Sequence, residues 1–180
     1  MTTKDAYRDW LKQDYGNLID ALQLSDMQKH FLRSRWLDQV LWMESKCAKT
    51  QRWYYLLRLL AIIGGVIVPA LVGLKLGDGE ISGLITWLTF GLSLLVAISV
   101  AVEEFFHFGE RWQHYRRSVE LLKIQAWQFF QHSGPYQAFA DDAAAYPAFA
   151  GKIEEIMQNE IDVYVTEVVK VKDPKEAEKE

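Results

Sequence analysis

Cysteine is almost absent from this sequence: Cys47 is the only one in 180 residues. An internal disulfide and a cysteine-based zinc site are therefore both excluded, and a lone thiol fits a reducing compartment. No basic block points to nucleic acid. Charges recur every few positions between residues 4 and 52, so the first 55 residues lack the apolar core of a signal peptide. Neither proline nor glycine occurs between residues 25 and 63. No nucleophile has a credible base beside it and no glycine-rich phosphate loop is present, so neither an enzyme nor a cofactor is expected.

The most informative absence is that of charge. From residue 59 to residue 102 the only charged side chains are Lys75, Asp78 and Glu80, and these sit together. A soluble core has no reason to gather its apolar residues into one continuous stretch, whereas a membrane hairpin does. Two segments are read as spans, residues 55–76 and 81–102. Each has 22 residues and would reach about 33 Å, enough for a hydrocarbon core of roughly 30 Å. Arg58 lies within a turn of the first entry and can snorkel to the headgroups. Lys75-Leu76-Gly77-Asp78-Gly79-Glu80 reads as a tight turn, which puts both termini on one side. Lys46, Lys49, Arg52 and Arg58 precede the first span; Arg111, Arg116, Arg117 and Lys123 follow the second; the turn offers only Lys75. The expected location is thus the cell membrane, multi-pass, with both termini cytoplasmic. Trp53, Tyr54, Tyr55, Phe105, Phe106 and Phe108 would form the inner aromatic belt.

Outside the apolar block the sequence is amphipathic. Tyr7, Trp10, Leu11, Leu18 and Leu22 favour one side of a helix over residues 6–24, interrupted by Gly16. Ser25-Asp26-Met27-Gln28 has the form of a capping box. Leu32, Trp36, Val40, Met43 and Cys47 then repeat at steps of four or three, one buried face of a helix that runs toward the first span. Past residue 102 the helical pattern continues to residue 132, where Ser133-Gly134-Pro135 stops it. Residues 137–150 are ambiguous. Phe149, Ile153, Ile156, Ile161 and Tyr164 predict one more amphipathic helix. The charge balance is +2 over residues 1–140 and −6 over residues 141–180, and the acidic tail at 171–180 is expected to be disordered. The expected fold is an all-α membrane protein, a two-helix transmembrane hairpin extending into a cytoplasmic helical bundle. Its parts are N-terminal cytoplasmic helices over 1–54, the hairpin over 55–102 and C-terminal cytoplasmic helices over 103–170.

Several constellations carry candidate chemistry. Gly65, Pro69, Gly73 and Gly77 recur every four residues, a groove for a neighbouring helix with a proline kink, or a gating hinge. Ser82, Thr86, Thr89 and Ser93 form a hydroxyl stripe that extends through Ala97 toward Glu104. Such a stripe can line a pore, with Glu103 and Glu104 as acidic rings that concentrate cations. Alternatively its hydroxyls bond to their own helix carbonyls. Two helices cannot enclose a pore, so the first alternative requires a homo-oligomer. Glu103, His107, Glu110 and His114 share one face, which suits a metal pair only with a second Glu-x-x-His, and none occurs. A polar face paired with basic groups of a neighbouring helix is the expected reading. Arg35, Arg111 and Arg116 lie near Glu120, Glu44 and Asp38 as ion-pair partners, with Trp36 and Trp112 stacked on them. These are read as architecture, with signal sensing the other possibility.

These residues also carry a resemblance. The runs Phe31-Leu32-x-x-Arg35-Trp36-x-x-Gln39-x-x-Trp42 and Arg52-x-x-Tyr55-x-x-Arg58 lead into the first span. Ser93-Leu94-Leu95-Val96-Ala97 and Glu103-Glu104-Phe105-Phe106 close the second. Arg111-Trp112-x-x-Tyr115-Arg116-x-x-x-Glu120-x-x-Lys123 and Gly134-x-Tyr136 follow. Over about residues 25–140 the chain resembles the SLATT superfamily of two-transmembrane proteins, in its branch described as a domain of unknown function. The resemblance implies a membrane protein with long cytosolic helices and a pore-forming effector role beside nucleotide-signalling domains in bacterial conflict systems. With no sensor, nucleotidyltransferase or nuclease domain in this stretch, the expected trigger is a separate nucleotide-signalling or sensor protein or a small ligand. A constitutive ion channel and a non-conducting membrane-anchored scaffold that recruits a cytosolic partner are the alternatives. The expected partners are the lipid bilayer and further copies of the chain.

Overall fold

The computed structural model describes the backbone of residues 3–73 and 80–170, and the side chains of residues 6–73 and 83–162. The expected turn between the apolar segments, with Gly77, and the acidic tail lie outside the described residues, as do the side chains of Ser82 and Tyr164. Among the described residues all regular structure is helical. The order is α1 (Thr3–Ala21), α2 (Asp26–Phe31), a π-helical stretch (Leu32–Leu37), α3 (Asp38–Gly73), α4 (Glu80–Phe106), α5 (Phe108–Phe130), a 3-10 turn (Gly134–Tyr136) and α6 (Asp142–Lys170). These elements form two compact units, one drawn from residues 1–44 and 116–180, the other from residues 45–115.

The first unit is a water-soluble type of core. The buried positions step at helical spacing: Leu11, Tyr15 and Ile19 on α1, Val119, Leu122, Ala126 and Phe129 on α5, and Ala145, Phe149, Ile153 and Ile156 on α6. Of the expected face of α1, Leu11 is buried and Leu18 and Leu22 pack against the core. Tyr15 and Ile19 also enter it, while Tyr7 and Trp10 stack on each other outside it at 5.9 Å. Gly16 does not interrupt α1, because a helical glycine costs only about 1 kcal/mol, which packing on both sides offsets.

The capping box forms as expected. The Gln28 amide donates to Ser25 Oγ at 3.4 Å and the Ser25 amide donates to Gln28 Oε1 at 2.9 Å. Leu32, Trp36, Val40, Met43 and Cys47 are all buried. The π-helical stretch lets adjacent residues share that face: the Asp38 amide reaches back to Arg33 O, and Trp36 with Leu37, then Val40 with Leu41, are buried together. Trp36 lies among Tyr15, Phe130 and Phe149, and its Nε1 donates to Leu122 O at 3.2 Å. It belongs to an aromatic core, not to a stack on Arg35, because an indole with one satisfied N–H loses nothing by full burial.

One element departs from the sequence reading: the helix expected over 103–132 breaks at His107, described below. In residues 137–150, ambiguous from sequence, the last helix begins at Asp142: the Ala144 amide donates to Asp141 Oδ1 at 2.8 Å, so the two aspartates are start signals. Asp142 also accepts the Gln23 amide at 2.7 Å and pairs with His132 Nε2 at 2.7 Å, joining three helix ends. Ile161, expected in the core, is exposed.

Arg35 holds Glu154 in a fork, with Nε and Nη2 each 2.8 Å from a carboxylate oxygen. Arg116 pairs with Glu120 at 3.0 Å, and Lys123 bridges Glu44. The Lys123–Glu44 pair is largely buried. Burial presses the Lys123 ammonium toward neutrality, but the bond to Glu44 and the surrounding negative charge outweigh it and raise its pKa. The hydrogen bond from Arg35 holds the Glu154 carboxyl below its ordinary range.

Two predictions follow from this unit. Trp36→Ala should cost about 3–5 kcal/mol in denaturant unfolding, while Glu154→Gln, whose pair is more than a third exposed, should cost under about 1 kcal/mol. Because the Glu154 pKa is depressed on folding, its contribution is complete above the unfolded carboxylate range and fades as pH falls through the folded value. Unfolding midpoints measured across the acid range should fall less for Glu154→Gln than for the parent chain.

Candidate functional site

The second unit consists of the later part of α3, all of α4 and the first turns of α5. Helical structure continues for 48 residues from Asp26 to Gly73, and both this helix and the stretch Gly83–Phe106 are long and apolar enough to cross a membrane. Only 11% and 6% of their most apolar 18-residue windows are buried within the molecule, so the chain does not itself enclose either helix in a core. Leu59, Ile62, Val66, Leu84, Phe90 and Ile98 are all more than half exposed.

The helices touch where a side chain is missing. Gly64 is buried, and a Cβ there would overlap Val96 Cγ2. Gly65 and Gly73, the positions singled out from sequence, face open space, and Pro69 is exposed on an unbroken α3. The period-four pattern was therefore the outward face, and the contact glycine lies one residue earlier. A second close approach occurs at Gly109, where a Cβ would come within 2.8 Å of the Tyr54 ring. Nothing in the composition marks Gly64 over Gly65; only its position opposite Val96 does.

The aromatic residues expected to gather do so. Trp53 stacks on Phe108 at 6.4 Å, Tyr54 on Trp112 at 6.2 Å, and Phe106 on Phe108 at 5.3 Å. Trp112 is thus engaged by tyrosine, not by an arginine. Arg111 is half-buried, forms no ion pair among the described residues, and has its Nε enclosed without a hydrogen-bond partner there.

The hydroxyl stripe is turned inward on itself. Thr89 Oγ1 donates to Ile85 O at 2.7 Å and Ser93 Oγ to Thr89 O at 2.8 Å. Both are half-buried, while Thr86 and Ala97 are exposed. Ser99, off the stripe, is the buried hydroxyl of α4 and bonds Leu95 O at 2.8 Å.

The charged residues converge at the end of α4. Glu103, Glu104, His107, Gly109, Glu110 and Gln113 line a cleft of about 290 Å³ together with Tyr54 and Arg58 of α3. Three carboxylates, one guanidinium and an imidazole share this space, and His107 Nδ1 stands 3.8 Å from Glu110 Oε2. Among the described residues no three His, Cys, Asp or Glu side chains are placed to hold a metal ion. Sequence reading had Glu103, Glu104 and His107 as helix-face residues; Tyr54 and Arg58, some fifty positions away, complete the cleft through folding alone.

An all-helical protein with two helices able to span a bilayer is the class these features define. The family model described as "Protein of unknown function (DUF4231)" matches residues 38–143, more than half of the chain, and the chain belongs to that family. Neither the curated proteins nor the solved structures contain a match. The matched region opens at the first residue of α3 and ends just inside α6.

The two glycines separate by experiment. Gly64→Ala should lower the stability of the α3–α4 contact by about 1–3 kcal/mol, and Val96→Ala in the same chain should recover most of it. Gly65→Ala should leave the isolated chain unchanged or slightly steadier, by up to about 1 kcal/mol. Thermal unfolding in detergent reads all three.

Proposed function

We propose that this chain is an integral membrane protein in which α3 and α4 cross the bilayer as a hairpin, both termini lie in the cytoplasm, and several copies assemble into a cation-favouring pore of the SLATT effector type. The observation that supports this best is the exposed apolar surface of both helices, which the chain does not cover itself. Lipid satisfies such a surface, and water does not. In an assembly, Glu103 and Glu104 at the end of α4 would surround the axis with carboxylates and draw cations to the mouth. The outward Gly65, Pro69 and Gly73 face offers each copy a groove for the next. No catalytic step is assigned. A separate nucleotide-signalling or sensor protein would supply the trigger, and the first unit would be its cytoplasmic receiver.

One observation favours a second reading, a membrane-anchored scaffold that does not conduct. Hydroxyls bonded within their own helix, as at Thr89 and Ser93, are also what a lipid-facing or helix-facing stripe requires.

Purified protein in planar bilayers should carry current, and Glu103→Gln with Glu104→Gln should reduce its preference for cations. Silent bilayers across voltage and candidate nucleotides would favour the scaffold, for which Thr89→Trp should disturb assembly alone. The hairpin is tested separately: a membrane-impermeant thiol reagent should label Asp78→Cys from outside the cell and not from the cytoplasmic side.

A further inference from the structure

Residues 103–132 have a continuous helical pattern, yet the helix stops at Phe106 and restarts at Phe108. His107 between them has φ +48°, a left-handed conformation uncommon for a residue with a side chain. Its amide donates to Glu103 O at 2.9 Å and its carbonyl accepts the Arg111 amide at 3.0 Å. The first bond is the single closing bond of a left-handed helix cap, with His107 where glycine usually stands. A helix that ends at Phe106 leaves its last carbonyls, those of residues 104–106, without ladder partners. The same residues can take two arrangements. In one, three bonds are forgone and a left-handed histidine is held by packing of Gly109 on Tyr54. In the other, the helix is continuous.

We propose that His107 is a proton-operated hinge between α4 and α5, in which protonation favours the broken arrangement. In that arrangement His107 stands at the C-terminal end of α4, where the carbonyls of residues 104–106 concentrate negative potential. Glu110, in the first turn of α5, is 3.8 Å away. Glu103 and Glu104 face the same cleft from α4, and Tyr54 and Arg58 face it from α3. Arg111 and His114 follow on α5. A continuous helix keeps Glu103 and Glu110 beside His107 at helical spacing but consumes the three carbonyls in ladder bonds. The carbonyl end is therefore the part of the imidazolium's surroundings that distinguishes the two states. Arg58, the one guanidinium in the cleft, opposes the effect without reversing it, since three carboxylates share the same space.

The inference stands apart from conduction, so it can fail while the pore reading survives, and the reverse. Spin labels at Ile98→Cys and Gln113→Cys, in a Cys47→Ala chain reconstituted in lipid nanodiscs, report the separation across the break. A continuous helix sets it at about 22 Å between backbones, and the broken arrangement shortens it. Lowering the pH from about 8 to about 5 should raise the ratio of short to long distances by about two- to five-fold. His107→Gln should abolish that response, and His107→Gly, which removes the left-handed penalty, should keep the short distance dominant at every pH. A single pH-independent distance in the parent chain overturns the proposal, as does a pH response that persists in His107→Gln.

Discussion

Everything else in this molecule is arranged around apolar surface that the chain cannot cover with its own residues. A large aliphatic or aromatic side chain left in water forgoes about 1.5–3 kcal/mol relative to burial, and α3 and α4 between them expose well over a dozen. A folded protein has only modest net stability, so a surplus of this size has to be met by something outside the chain. In the proposed bilayer that demand disappears, and with it the hydrophobic drive that would press the two helices together. Their contact must then come from shape. Gly64 against Val96, with no room for even a Cβ, is the form such a contact takes.

The first unit solves the opposite problem. Its helices are amphipathic, and they bury their stripes against one another around Trp36 and Phe129. Charge is used there in two ways. Arg35 and Glu154 meet at the surface, where the pair fixes register more than it stabilises. Lys123 and Glu44 meet where water is mostly excluded, and there removing one partner strands the other. The sequence offered Glu120 as a partner and Arg116 meets it, but the partner of Arg35 lay out of its reach: Arg35 and Glu154 are 119 positions apart.

Local rules carried the sequence reading where local interactions decide the outcome. The Ser25 cap, the buried stripe from Leu32 to Cys47, the end of α5 and the two apolar helices were all legible, because each depends on neighbours within a few turns. What was not legible shares a cause. Which further residues of α1 are buried, which of two adjacent glycines meets α4 within the chain, and where α6 begins depend on contacts with distant segments. Asp142 shows this plainly: its two oxygens are claimed by Gln23 and His132, and no helical periodicity contains that information. At Gly64 and Gly65 the composition is identical, and only the position of Val96 separates them.

The break at His107 and the charged cleft are best understood as one feature. Interrupting a helix frees backbone amides and carbonyls, which hydrocarbon cannot satisfy. An interruption at mid-span would be prohibitive; at the end of the apolar stretch it needs only a polar surround. Glu103, Glu104, Glu110 and Arg58 provide one, and the rings of Trp53, Phe106 and Phe108 stack on one another at the break. Placing carboxylates there also gives the site its electrostatic character, since the free carbonyls of α4 add to the same negative potential. Histidine occupies the left-handed position at the centre of this potential.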